Sequence, residues 1–180
     1  MNELAIGGGV GTTVVSAAAA GDADALTLIV RAHHDDMARL CFVICGDADL
    51  AQDAVQAAWP IAWRRLSSLR DPGQLRPWLM SVAANEARQL LRARRRRPSV
   101  PIHDVVAPAL TGDPALDVEL TDLALALARL SPDDRALISL RYVAGFDATE
   151  IGRALRISPS GVRTRLSRVL ARLRTELDHG

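Results

Sequence analysis

The strongest constraint on the fold lies near the C-terminus, where signals for helix starts and stops recur over residues 131–177. Ser131 and Ser158 each precede a proline, a pattern that predicts a helix N-cap followed by the first helical position. Between them, Gly145 predicts a helix end and Asp147 opens a capping box. The middle helix is short, and only two residues separate it from the next cap. Two helices this close must cross steeply, which predicts a helix-turn-helix that reads DNA.

The last helix of this run has two faces. Apolar residues at helical spacing are predicted to face the core, namely Val162, Leu166, Val169, Leu170 and Leu173. Polar residues on the opposite face are predicted to reach base edges in the major groove, namely Ser160, Arg163, Thr164 and Ser167. Arg165 and Arg168 flank this polar stripe, where phosphates would lie. The alternative is a solvated amphipathic helix whose arginines only keep it soluble.

Charge alternates in blocks, although the formal net charge of the 180 residues is only +1. Residues 1–60 and 98–134 each carry a net charge of −6, whereas residues 61–97 carry +8 and residues 135–180 carry +5. Two basic blocks separated by an acidic block indicate two nucleic-acid contacts in one chain. The acidic blocks indicate surfaces that avoid DNA or dock on a basic protein.

Composition favours an all-α fold, because alanine, leucine and arginine dominate and no stretch alternates in the manner of a β-strand. No apolar run approaches the length of a membrane span, and the N-terminus lacks the pattern of a signal peptide. Two cysteines argue against a disulfide framework. We therefore expect a cytoplasmic protein without membrane insertion and without a cofactor.

We expect two small helical domains joined by an extended linker. Residues 1–23 are rich in glycine and alanine and are predicted to be a disordered tail, and residues 24–97 form the first domain. Four prolines and no helical period predict an extended linker over residues 98–117. A final helical unit is predicted to begin at an Asp113 cap with Pro114 in its first turn, and residues 118–178 form the second domain. At roughly 3.3 Å per residue, such a linker reaches about 65 Å, nearly two turns of B-DNA.

Three helices are predicted in the first domain. They run from about Asp24 to Cys45, from a cap at Asp47 or Asp49 to about Leu69, and from near Pro77 into residues 94–97. Pro60 is predicted to kink the second of these helices, in which Trp63 is a candidate buried residue.

Two segments of the first domain resemble motifs of bacterial sigma factors. Residues 47–63, DADLAQDAVQAAWPIAW, resemble the pattern D-A-E-D-x-x-Q-x-x-F, in which Asp53 and Gln56 match and Trp59 stands for the Phe. Residues 75–92, LRPWLMSVAANEARQLLR, resemble F-R-x-W-L-x-x-I-A-R-N-x-x-x-D-x-x-R. The C-terminal run resembles sigma region 4, in the pattern L-P-x-x-x-R…E-I-A…L-x-I-S-x-x-T-V-K-S-R-L-x-R. The two segments of the first domain followed by the C-terminal run, over about residues 25–177, resemble the extracytoplasmic-function (ECF) group of the sigma-70 family.

The resemblance implies a promoter-specificity subunit that binds core RNA polymerase and promoter DNA, has no catalytic site of its own, and is controlled by an anti-sigma protein. It implies that polymerase is bound by Asp53, Gln56 and Trp59. It implies contacts to the melted −10 element from Arg76, Trp78, Asn85, Arg88, Arg92 and Arg95. The loop 67–74 corresponds to the segment that captures an unstacked base, at a cost of a few kcal/mol for flipping. The recognition helix is implied to read the −35 element through the residues named above.

The residues themselves leave other interpretations open. Trp78 could support a base pocket or simply pack in the core, and Asn85 could contact DNA or cap local backbone. Asp53 and Gln56 could belong to an ordinary solvated face, and the basic end of the third helix could only complement its dipole. Cys41 and Cys45, near His33 and His34, could form a metal or redox site, or be ordinary packed residues.

Two other functions fit the same residues. The first is a helix-turn-helix regulator that binds operators without polymerase. The second is a helical adaptor protein.

Overall fold

The computed structural model describes residues 10–96 and 114–178, although the side chains of Arg95 and of residues 114–120 are outside the described part. All regular structure in these two ranges is helical, which confirms the predicted all-α class. The helices are α1 (Thr12–Ala19), α2 (Ala23–Cys45), α3 (Ala48–Arg65), α4 (Leu75–Arg95), α5 (Pro114–Ala128), α6 (Pro132–Tyr142), α7 (Ala148–Leu155) and α8 (Pro159–Asp178). Two 3₁₀ turns, Leu66–Ser68 and Pro72–Gln74, connect α3 to α4.

Helices α2, α3 and α4 pack against one another and form the first domain. The Asp22 carboxylate caps α2 by accepting hydrogen bonds from the backbone N–H groups of Asp24 and Ala25, and Gly46 ends this helix at φ 68°. Helix α3 buries mostly small residues, which let its neighbours approach closely, namely Ala51, Ala54, Val55, Ala58 and Ala62.

The second of the predicted helices ends earlier than its sequence pattern indicated. Helix α3 continues through Pro60, which is exposed, and ends at Arg65 instead of near Leu69. Trp63 is 36% exposed, so the prediction that it is buried is wrong. The spacing of aromatic residues placed Trp63 on the inner stripe, but the alanines of α3 form that stripe instead.

Residues 12–19 form α1, so the prediction of a disordered tail over residues 1–23 is wrong for this stretch. Val15 and Ala18 are only 3% and 2% exposed, and α1 packs against α2 and both 3₁₀ turns. A helix of eight residues is too short to persist alone in water. Tertiary packing therefore stabilises α1, and the Gly- and Ala-rich composition of the tail gave no sign of it.

Most of the predicted linker lies outside the described residues, and its extended form stays a prediction. Helix α5, however, begins at Pro114, inside the range 98–117. Proline is favourable at the first position of a helix, because its missing N–H would have no partner there. The predicted helical unit with Pro114 in its first turn is therefore confirmed, and this helix starts inside the range predicted as linker.

The two domains contact each other directly, an arrangement that the sequence did not predict. Helix α6 packs against α2 and α4, and α7 packs against α4. The Arg135 side chain, 6% exposed, donates from Nη1 to the backbone carbonyl of Cys45 at 3.3 Å. Among the described residues, no helix is both long and apolar enough to cross a lipid bilayer.

Candidate nucleic-acid interface

The helix-turn-helix begins at α7, which is capped as its sequence predicted. The Asp147 carboxylate accepts from the N–H groups of Thr149 at 2.7 Å and Glu150 at 2.8 Å. The Glu150 side chain accepts in return from the Asp147 N–H at 2.8 Å, which completes the capping box. The next cap is also formed, because Ser158 Oγ accepts from the Gly161 N–H at 3.1 Å. These caps fix where α8, the predicted recognition helix, begins.

The turn between α7 and α8 requires a close backbone approach at Gly152. A Cβ atom built on Gly152 would lie 2.7 Å from the backbone carbonyl oxygen of Ile157. The Ile157 N–H donates to the Gly152 carbonyl at 3.0 Å, and Arg156 adopts a left-handed φ of 59°. The sequence alone does not reveal the role of Gly152, because helical spacing shows which face a residue is on but not how closely another segment passes.

The two faces of α8 lie as predicted. Val162, Val169 and Leu173 are buried at 1%, 5% and 7% exposure, and Leu166 and Leu170 are partly buried. The four polar residues predicted to read bases are all exposed, and we call them the α8 reading face: Ser160, Arg163, Thr164 and Ser167. Ser160 Oγ lies 3.1 Å from Ser158 Oγ, so the first of these residues also contacts the cap.

The two flanking arginines differ in environment. Arg168 is exposed, whereas Arg165 is partly buried and donates from Nε to Asp134 Oδ1 at 2.7 Å. This ion pair ties the recognition helix to α6. Arginine carries five N–H donors, so the pairing of Nε leaves other donors of the guanidinium for a phosphate.

Four of the residues predicted to contact the −10 element line two clefts beside α4. We call them the α4 basic face: Trp78, Asn85, Arg88 and Arg92. Asn85, Arg88 and Arg92 line a cleft of about 670 Å³, together with Arg64 and Arg65 of α3.

Trp78 is partly buried at a second cleft of about 370 Å³, which it lines with Asn85 and the loop residues Leu69 and Gln74. The loop and the helix predicted to act on one base are therefore adjacent.

An aspartate from the second domain occupies this basic face. Asp133 of α6 accepts hydrogen bonds from Arg88 Nε at 2.7 Å and from Arg92 Nη2, with 2.7 Å to each carboxylate oxygen. Partial burial works to raise the pKa of Asp133, but the hydrogen bonds from Arg92 and Arg88 hold it below its usual value. Asn85 Oδ1 accepts from Arg88 Nη1 at 2.9 Å, so the amide orients a guanidinium. A carboxylate thus lies where a DNA phosphate is predicted to bind.

The other two residues predicted to contact the −10 element, Arg76 and Arg95, are not assigned to the α4 basic face. Arg76 donates from Nε to Asp36 Oδ2 at 3.1 Å and from Nη1 to the Ala144 carbonyl at 3.0 Å. It therefore links the first domain to the segment between α6 and α7. The side chain of Arg95 is outside the described part, and its predicted −10 contact stays a prediction.

The residues predicted to bind polymerase share one face of α3. Asp53 and Gln56 are exposed, three positions apart, and neighbours on the helix surface. Trp59, one turn further, is partly buried and donates from Nε1 to His34 Nδ1 at 3.4 Å. We call these three residues the α3 face. The exposed Trp63 lies one further turn along α3 and enlarges its apolar surface.

The cysteines and His33 behave as packed residues. Burial raises the pKa of both Cys41 and Cys45 to about 12, so both thiols stay protonated at neutral pH and react poorly. The Cys41 thiol donates to the Ala83 carbonyl at 3.6 Å. Burial also lowers the pKa of His33, which is 2% exposed. Within the described ranges, no group of three or more His, Cys, Asp or Glu residues is placed to hold a metal.

Known proteins resemble this chain over most of its length. The sigma-70 region 2 family matches residues 29–97, and the sigma-70 region 4 family matches residues 120–173. ECF RNA polymerase sigma factor SigL of Mycobacterium tuberculosis is 32% identical over 91% of this chain and 94% of SigL. ECF RNA polymerase sigma factor SigM of the same organism is 30% identical over 89% of this chain and 81% of SigM.

A longer relative and a solved structure extend these similarities. Probable RNA polymerase sigma factor RfaY of Xanthomonas campestris pv. campestris is 34% identical over 89% of this chain, which spans 42% of RfaY. The fold is similar to that of CnrH, solved in complex with the cytosolic domain of CnrY, with a TM-score of 0.68. That similarity covers 93% of this chain and 96% of CnrH at 25% identity. With two matched regions in the order predicted from its motifs, the chain belongs to the extracytoplasmic-function group of the sigma-70 family of RNA polymerase sigma factors.

Proposed function

We propose that this chain acts as an alternative sigma factor that binds core RNA polymerase and directs initiation at promoters with their own −10 and −35 elements. The observation that carries the proposal is the presence of an accessible arginine-bearing surface in each matched region. The α4 basic face lies in the region 2 match, and the α8 reading face lies in the region 4 match. One molecule therefore has a surface for each of two promoter elements.

At the −35 element, the α8 reading face enters the major groove. Arg163 donates to a guanine, the commonest specific contact of arginine with a base edge. Ser160, Thr164 and Ser167 contribute shorter polar contacts, while Arg165 and Arg168 neutralise phosphates beside them. The ion pair of Arg165 with Asp134 supports the placement of α8 in the groove, because it holds one flank of the helix in a fixed position.

At the −10 element, the α4 basic face and the loop 67–74 hold the melted strand. Arg88, Arg92 and Arg95 neutralise phosphates, and Arg76 contributes once it leaves Asp36. Trp78 and Asn85 line the pocket for the unstacked base. The 370 Å³ cleft shared by Trp78, Asn85 and loop residues supports this assignment.

The α3 face binds the polymerase. Asp53 offers a charged carboxylate acceptor, Gln56 offers an amide, and Trp59 adds apolar area beside them. The chain itself supplies no catalytic group and works in the cytoplasm, where the polymerase acts. An anti-sigma protein controls it, a proposal supported by the structural relative CnrH, which was solved with CnrY.

A regulator that binds operators without polymerase is the competing function. The contact between Asp133 and the arginines disfavours it, because free DNA must displace this carboxylate. The discriminating experiment is copurification with core RNA polymerase. The wild-type chain is expected to bind core, and a double change of Asp53→Arg and Gln56→Arg is expected to weaken binding without unfolding the chain. Unchanged core binding by a folded double variant would contradict the role of the α3 face.

A further inference from the structure

Helix α1 lies outside both matched regions but contacts the loop predicted to capture a base. The region 2 match begins at residue 29, ten positions after α1 ends at Ala19. Helix α1 nevertheless packs on both 3₁₀ turns of the segment between α3 and α4. These turns, Leu66–Ser68 and Pro72–Gln74, contain most of the loop 67–74.

The buried side of α1 is apolar and narrow. Val15 and Ala18 are 3% and 2% exposed, whereas Thr13 and Ser16 on the other side are exposed. No residue of α1 is charged, so the helix has no electrostatic reason to associate with a basic domain. Apolar packing against α2 and the two turns therefore holds it in place.

The loop itself has few buried anchors. Leu66 is buried and Leu69 is partly buried, while Ser67, Ser68, Arg70, Asp71, Gly73 and Gln74 are exposed. Short hydrogen-bonded turns give it a local shape, as when Asp71 Oδ1 accepts from the Gly73 N–H at 2.9 Å. Local turns of this kind do not fix the position of the loop on the domain. Beyond these turns, the loop contacts helices α1, α3 and α4.

We propose that α1 is a positioning helix for the base-capturing loop, and that Val15 is the residue through which it acts. The inference rests on the proposed function, because it gives α1 a part in −10 recognition. A loop held in its binding conformation avoids the entropy cost of ordering when the base enters. Ordering one or two backbone residues at that step would weaken base capture by roughly tenfold or more.

The test compares full-length variants in holoenzyme reconstituted with core RNA polymerase. Val15→Asp places a charge on the buried side of α1, and Ala18→Pro breaks the helix through its backbone. Thr13→Asp is the matched control, since it adds the same charge on the exposed side, in the first turn, where an acid is favourable. Val15→Ile keeps the apolar contact. The readouts are transcription from promoters varied at each −10 position and 2-aminopurine fluorescence at the captured base.

Both disruptive variants are expected to flatten the −10 base preference by roughly tenfold or more and to reduce the fluorescence change. Their core binding and −35 preference should stay at the wild-type level, and Thr13→Asp and Val15→Ile should behave as wild type. A wild-type −10 preference in Ala18→Pro would overturn the inference. Joint loss of core binding and of the −10 and −35 preferences would also overturn it, because α1 would then support the whole domain. A flat −10 preference in the wild-type holoenzyme would instead contradict the proposed function.

Discussion

At the scale of single residues, Arg163 is the side chain on which we expect promoter selectivity to depend most. It is exposed on the α8 reading face, one turn after the Ser158 cap. We predict that Arg163→Ala flattens the −35 base preference, since a good bidentate arginine–guanine contact contributes roughly 1–3 kcal/mol of discrimination. Transcription from a promoter library measures this preference.

The matched control for this change is Arg168→Ala on the same helix. Arg168 is exposed beside the reading face and is predicted to contact phosphate, so its loss should weaken all promoters about equally. A uniform loss for Arg163→Ala, with the base preference kept, would show that another residue reads the base.

His33 makes the stability of the fold depend on pH. Burial lowers its pKa below 6.5, although the nearby Asp36 carboxylate partly opposes the shift. The unfolded chain therefore takes up a proton near pH 6.5 while the folded chain stays neutral at His33. We predict that the free energy of unfolding falls as the pH drops below 6.5 towards the folded-state pKa.

Urea unfolding at a series of pH values measures this dependence, with His33→Leu as the comparison. Removing the imidazole should make the free energy of unfolding depend less steeply on pH below 6.5. An equally steep fall in His33→Leu would assign the pH dependence to other groups.

Sequence predicted residue exposure well where helical spacing decides it and poorly where tertiary contacts do. The reading face of α8 follows from the positions of Val162 and Val169. The ion pair of Arg165 with Asp134 joins residues 31 positions apart, and spacing within one helix gives no information about such a pair. Spacing also gives no information about Gly152, because the position requires glycine only through the close approach of the Ile157 carbonyl.

At the scale of elements, the caps of the helix-turn-helix determine where α8, the predicted recognition helix, begins. Asp147 accepts two backbone N–H bonds at the start of α7, and its own N–H is satisfied by Glu150. We predict that Asp147→Ala destabilises the second domain by about 0.5–2 kcal/mol, the usual effect of removing an N-cap. Thermal unfolding measures the loss.

Asp147→Asn is the control for this variant, since asparagine caps helices about as well as aspartate. It should keep most of the stability that Asp147→Ala loses. Equal destabilisation by both changes would indicate that the charge, and not the cap, stabilises α7.

Helix starts were predictable because a cap is a local signal that the sequence carries. The caps at Ser131 and Asp147 are formed as the sequence predicted. The end of α3 and the existence of α1 were not predictable, because both depend on packing. In α1, Gly11 caps the helix without a side-chain hydrogen bond, so the local signal is absent.

At the scale of the whole molecule, the second domain of the free chain contacts the predicted −10 surface of the first domain. Asp133 binds Arg88 and Arg92, and Arg135 reaches the carbonyl of Cys45. The alternating charge blocks predicted two DNA contacts, but did not reveal that an acidic residue of one domain pairs with the basic face of the other. The free protein is therefore expected to bind DNA poorly until the domains separate.

We predict that Asp133→Asn increases binding of the free chain to single-stranded −10 DNA several-fold, because it removes the carboxylate that competes with phosphate. The folded-state pKa of Asp133 is lowered, so its carboxylate is charged and competes with phosphate at neutral pH. This competition is lost only as the pH falls through that pKa, below 3.8. Fluorescence anisotropy with a labelled oligonucleotide at neutral pH measures the change. Glu86→Gln, which removes an acid from the cleft that Arg88 and Arg92 line, is the control. Equal binding by wild type and Asp133→Asn would show that this pairing does not limit access.

We propose above all that the chain confers promoter specificity on core RNA polymerase. Run-off transcription of a genomic fragment library, with core polymerase in the presence and absence of the purified chain, tests it most directly. We predict discrete start sites that require the chain and share −10 and −35 sequences, with the −35 preference lost in Arg163→Ala. Start sites that are the same with and without the chain would contradict the claim, most clearly if the free chain also binds specific duplex sites without core.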